Sequence, residues 1–226
     1  MKKLVVLLVM VIVGKLGFSQ DPQFTQFYAS PLYLSPSFAG STKGKRLASN
    51  YRNQWPALQK AFVSYAFSYD HYLPSVNSGL GILLTRDQAG NGDLASTNLG
   101  LIYSYHIKLD HEWRVIPGLG VYYTQHGLQF NQLTFGDQLV SGQETTTDSY
   151  RGAHNDNVKD IDASASALFY SSNMWIGLTA DHLLRPNESL SGEESLLPMK
   201  FSLFGGMQIP INKRYNRRSK ENLSPA

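Results

Sequence analysis

The stretch TNLGLIYSYHIKL, residues 97–109, alternates with a period of two. Leu99, Leu101, Tyr103, Tyr105, Ile107 and Leu109 fall on one side, and Asn98, Gly100, Ile102, Ser104, His106 and Lys108 on the other. Successive side chains of a strand point to opposite faces, so one face here is apolar and the other mostly polar or small. Asp110, His111 and Glu112 make a short polar connection. Beyond it, Trp113, Val115, Pro117, Leu119, Val121 and Tyr123 repeat the pattern against Arg114, Gly118, Gly120, Tyr122 and Thr124. Two such runs joined so tightly form an antiparallel hairpin, because parallel strands need a long crossover.

Comparable runs lie at 46–55, 61–69, 79–86, 161–171, 174–182 and 199–209, which brings the expected count to about eight strands. The alternation is weaker at 161–169, where Ala163, Ala165 and Ala167 suit close packing. After the connection 171–173, Met174, Ile176, Leu178 and Ala180 form the next outward set. Connections come in two sizes: short at 59–60, 110–112 and 171–173, long and polar at 87–94, 131–159 and 183–197. Outer-membrane barrels pair short periplasmic turns with longer outer loops. Their strands meet lipid only at every second residue, so a mean hydropathy of −0.25 is compatible with membrane insertion. The expected fold is therefore all-β, an antiparallel transmembrane β-barrel of the outer-membrane type.

Aromatic usage agrees, with 13 Tyr, 11 Phe and 3 Trp in a chain only 16% charged. Trp55, Tyr69, Tyr72, Trp113, Tyr123, Tyr170 and Trp175 lie near expected strand ends, where amphipathic rings form girdles at the headgroup level. A soluble β-sandwich also places Tyr at strand ends, but long strands with lipid-compatible faces, behind an export signal, argue against it.

That signal occupies residues 1–19. Lys2 and Lys3 form a basic start, the run 4–13 is apolar, and Gly17 and Ser19 place small residues before a cleavage point at Gln20. The apolar run is too short to cross a hydrocarbon core as a helix, which takes about 20 residues. Cleavage removes Lys2, Lys3 and Lys15 and no acid, so the 20 basic residues fall to 17, equal to the 17 acids. A balanced mature chain gives no footprint for nucleic acid. Without cysteine there is neither a disulfide framework nor a thiolate metal site.

The segment behind the signal carries a resemblance. DPQFTQFY (21–28), the turn-rich PLYLSPSFAGS (31–41) and YRNQWPAL (51–58), followed more loosely by SYD at 68–70 and FGG at 204–206, resemble the PorP/SprF family. The resemblance implies an outer-membrane barrel of the type IX secretion and gliding machinery. It further implies partners among type IX secretion components and the C-terminal domains of secreted adhesins; the signal 1–19 points to Sec-type export, and the barrel to surrounding outer-membrane lipid. Family members have longer barrels, and this chain finishes on Pro225 and Ala226 rather than on a strand ending in an aromatic residue. The expectation is a C-terminally truncated barrel, or eight strands closing as a small one with a filled interior.

The pattern divides the chain into the signal 1–19, an aromatic turn-rich segment 20–45, strands and loops 46–211 and a basic, disordered tail 212–226. On strand 46–55, Asn50, Arg52 and Gln54 share the face opposite Leu47, Tyr51 and Trp55. An Arg on the lipid face costs about 2–4 kcal/mol at the midplane, so Arg52 is expected to point into the lumen, facing Asp70, Asp162 or Asp181. The segment ahead of that strand holds Phe24, Phe27, Tyr28, Tyr33 and Phe38. Left in water it would expose a large apolar patch, so it must plug the lumen or dock on a partner.

Catalytic signals are sparse. The six His residues show no metal-ligand spacing, no phosphate loop is present, and no cofactor is implied. Ser104 and His106 share a strand face and His154, Asn155 and Asp156 lie in a loop, but neither group sits in a nucleophile motif. The expected function is non-catalytic: tethering or assembling secreted adhesins and periplasmic partners. A porin-like diffusion channel is the alternative, and a barrel hydrolase the more distant one.

Overall fold

The computed structural model describes residues 27–42, 44–55, 57, 62–90, 94–128, 157–190 and 194–208. The signal 1–19, Phe24, most of the loop 131–159 and the tail 212–226 lie outside the described residues.

Nine strands form one sheet: β1 (Lys45–Gln54), β2 (Phe62–Leu73), β3 (Ser78–Ala89), β4 (Leu94–Tyr105), β5 (Ile107–Lys108), β6 (Arg114–Gly127), β7 (Asn157–Tyr170), β8 (Met174–Asp181) and β9 (Lys200–Met207). The order is β1-β2-β3-β4-β6-β7-β8-β9, with the short β5 beside β6. Each pairing is antiparallel, from Tyr51 opposite Tyr65 at one edge to Leu178 opposite Leu203 at the other. Among the described residues β1 and β9 remain the two edges, and the sheet curls into an all-β half-barrel. No described helix is long and apolar enough to cross a membrane.

Parity decides the faces, as the period of two requires. Leu101, Leu119 and Leu178 on the convex side are 64%, 59% and 53% exposed, whereas Ile102, Ile116 and Leu168 on the concave side are buried. The ladder between β4 and β6 stops at Ser104↔Gly118 and resumes with β5 at Ile107↔Val115. Pro117 lies in that gap; it has no N–H to give a neighbour, and the His106 N–H turns instead to the Asn77 carbonyl at 2.8 Å.

Four expectations about loops and rings are corrected. The polar stretch 87–94 is strand at both ends, since Asp87 pairs with Ser96 and Ala89 with Leu94. Likewise β7 begins at Asn157, inside the expected loop 131–159. A backbone ladder is indifferent to whether its side chains meet lipid or water, so strands run on past the apolar belt. The connection between β1 and β2 leaves at the same end as those following β3, β6 and β8, so it does not belong with the short turns at 74–77, 109–113 and 171–173. Finally, Tyr72, Tyr170 and Trp175 sit on the concave parity and pack inside, while Trp55, Trp113 and Tyr123 remain on the exposed surface.

Ahead of β1 the chain makes three tight turns of helix: Phe27–Ala29, then α1 (Pro31–Leu34), then Pro36–Phe38. Pro31 and Pro36 each open a turn, where a missing N–H costs nothing. This compact piece lies against the concave face. Leu32, Phe38 and Ala39 form one buried cluster with Leu83, Ile102, Ile116 and Leu168, contributed by β3, β4, β6 and β7.

Candidate functional site

The concave face has two halves: a floor, filled by the segment 28–42 near the short turns, and a polar chamber above it. The floor exists because the wall beneath it is small. Gly79 on β3 and Gly118 on β6 face inward, and a Cβ on Gly79 would overlap the Ala39 carbonyl, one on Gly118 the backbone of Pro36 and Ser37. Gly40, at φ +62°, turns the chain out of the floor toward β1 in a conformation L side chains rarely adopt.

Backbone groups of the floor are satisfied by the wall. The Ser37 N–H donates to Ser166 Oγ at 2.9 Å, and the Ala39 carbonyl accepts from Ser104 Oγ at 2.7 Å with His106 Nε2 at 3.3 Å. Ser104 and His106, the pair considered as hydrolytic, thus meet on a main-chain oxygen. Asp70 is 1% exposed and serves two partners: its Oδ2 accepts from the Gly40 N–H at 2.8 Å and its Oδ1 from Arg46 Nε at 2.8 Å. Arg46 in turn donates through Nη2 to the Phe38 carbonyl at 2.8 Å and through Nη1 to Ser41 Oγ at 3.3 Å. One buried carboxylate and one guanidinium therefore clasp the exit of the segment.

Asn50, Arg52 and Gln54 occupy the half-buried, concave parity of β1. Asn50 Nδ2 donates to the Ala29 carbonyl at 3.1 Å, which fastens the start of the segment. Arg52 Nη2 donates to Gln54 Oε1 at 2.8 Å, and both residues line the chamber. Each acid expected opposite Arg52 has a partner of its own: Asp70 has Arg46, Asp162 lies against His182 Nδ1 at 2.7 Å, and Asp181 holds Lys200 Nζ at 3.3 Å. The reason is register, since β1 and β2 bring Arg46 directly opposite Asp70 and Arg52 opposite Ser64.

The chamber has a volume of about 490 Å³. Ser64, Thr85, Asn98 and Thr124 line its wall, Tyr33 and Leu83 its base, and Pro186, Glu188 and Leu197 its outer side. The last three belong to the connection between β8 and β9. His182 and Arg185, at φ 58° and 52°, take positive φ just after β8. The connection is bound to the wall by Asn187 N–H to Asp160 Oδ2 at 2.8 Å and by His126 Nε2 against Glu188 Oε1 at 3.1 Å. Charges of both signs line this space and pair locally; among the described residues no group of three metal-ligating side chains gathers.

Of the aromatic segment residues, Phe27 lies in the first helical turn, Tyr28 is 54% exposed, Tyr33 reaches the chamber, and Phe38 is buried. Phe38 stacks on Phe204 with centroids 5.7 Å apart and meets the edge of Trp175 at 5.9 Å. Reading the sequence missed the clasp of Arg46 and Asp70 and the seats at Gly79 and Gly118. The signal was available in parity: both glycines fall on the inward set of otherwise apolar strands.

Residues 16–225 match the family model of the type IX secretion system membrane protein PorP/SprF. No curated protein and no solved structure matches the chain.

Proposed function

The chain belongs to the PorP/SprF family of type IX secretion system membrane proteins, and we propose from this premise that it is a non-catalytic outer-membrane component of that machinery. In this reading residues 1–19 direct Sec-type export, the sheet sits in the outer membrane, and the protein tethers or assembles secreted adhesins and periplasmic partners of the secretion and gliding apparatus.

The observation that carries the reading is the convex belt. Leu101, Leu119, Val121, Leu178 and Leu203 are each more than half exposed, spread over β4, β6, β8 and β9 of one continuous surface. Soluble monomers leave contiguous apolar patches of a few hundred Å² at most, so a belt across the sheet calls for lipid. Tethering is favoured over conduction by the concave side, where Leu32 and Phe38 fill the floor and the chamber acids Asp162, Asp181 and Glu188 are engaged by neighbouring His and Lys side chains.

Affinity purification of the tagged full chain from outer membranes tests this. Secretion components and C-terminal domains of secreted adhesins should co-purify. A protein that comes out alone and conducts ions in planar bilayers would overturn the assignment and favour a diffusion channel.

A further inference from the structure

We propose that residues 28–40 are a permanent internal post around which the sheet takes its curl, and not a plug that leaves the lumen. The proposal rests on the membrane-barrel reading above. A removable plug touches its barrel through a polar surface and leaves a wall stable without it. Here three of the eight buried apolar residues among those described, Leu32, Phe38 and Ala39, belong to the segment itself. The wall residues Leu83, Ile102, Ile116 and Leu168 are buried in one cluster with it.

The contacts also reach the whole width of the sheet. Arg46 and Asp70 hold the segment at the β1 edge, Ser104 and Ser166 in the middle, and Trp175 and Phe204 at the β9 edge. Nothing in such an arrangement can slide as a unit, because the exit is clasped by Asp70, the entry is fastened by Asn50, and Ser37 is seated on Gly118. Strand twist alone sets a gentle curl; the post adds a fixed radius. With the post in place, Leu32, Phe38 and Ala39 fill the short-turn half of the concave face among the described residues.

The chain contains no cysteine, so single-cysteine variants of the full protein report accessibility cleanly. In outer membranes, Ser37→Cys is expected to react with a membrane-impermeant maleimide at least 100-fold more slowly than Tyr28→Cys, with or without the secretion machinery present. Phe38→Ala is expected to lower the temperature at which the heat-modifiable form is lost, while adding no conductance in planar bilayers. Labelling of Ser37→Cys within tenfold of Tyr28→Cys, or a folded Phe38→Ala protein that conducts ions, would overturn the proposal and make the segment a removable plug. Failure of the underlying membrane-barrel reading is distinguishable, because the unsubstituted chain would then show neither membrane retention nor heat-modifiable migration.

Discussion

Asp70 and Arg46, directly opposite each other on β2 and β1, form an ion pair at 2.8 Å whose carboxylate is almost fully withdrawn from solvent. The pair differs from a surface bridge because each partner also binds the segment ahead of β1, Asp70 through the Gly40 N–H and Arg46 through the Phe38 carbonyl. Removing one member strands the other. Asp70→Ala is expected to destabilise the folded protein by about 3–5 kcal/mol, measured by denaturant unfolding in lipid vesicles. Replacing Arg46 and Asp70 together by apolar residues of similar volume should cost less than Asp70→Ala alone, which a double-mutant cycle would read.

Filling a seat should act from the opposite side. Gly79→Val places a branched side chain where the Ala39 carbonyl lies. An expected loss of about 1–3 kcal/mol follows from overpacking, with the same vesicle assay as the measurement. Substitution of Gly90, which has open space around it but a φ of +72°, provides the comparison: strain there comes from the backbone and not from a neighbour.

Truncating the post tests the core directly. Leu32 is 1% exposed and packs beside Gly81 and Leu83. Leu32→Ala should cost about 2–5 kcal/mol in the same unfolding measurement, depending on how far the cavity collapses.

The convex belt makes a contrasting prediction. Leu101→Arg, on the outward face, is expected to cost about 2–4 kcal/mol if the residue sits near the bilayer midplane. Arg52→Gln, on the concave face beside Gln54, should change stability by less than about 1 kcal/mol, as befits a partly solvated charge. Equal penalties for the two would contradict the assignment of lipid to the convex side.

Much of this architecture was legible in the period of two. The outward set Leu99, Leu101, Tyr103 and Tyr105 and the inward set Gly118, Gly120, Tyr122 and Thr124 were readable because a strand has only two faces. Strand ends were less legible: Asp87, Gln88 and Ala89 look like loop, yet hydrogen-bonding continues through them where the sheet leaves the apolar belt. Proximity to a strand end could not say whether Tyr170 and Trp175 faced lipid; only their parity could, and it turns them inward. Charge partners were hidden for a related reason. Which acid meets which base depends on inter-strand register, so Arg46 and not Arg52 obtained Asp70.

The contact of Ser37 with Ser166 spans 129 residues of chain. Every strand pairing in the main path joins long strands that follow one another in chain order, so the sheet can be laid down strand by strand as the polypeptide arrives. The first-delivered segment follows another timetable, because its binding partners on β7, β8 and β9 are made last. Leu32 meets Leu83 on β3 early, but Phe38 must wait for Trp175 and Phe204 through most of the assembly. What has to be shielded in that interval is one short aromatic stretch, until the final strands arrive.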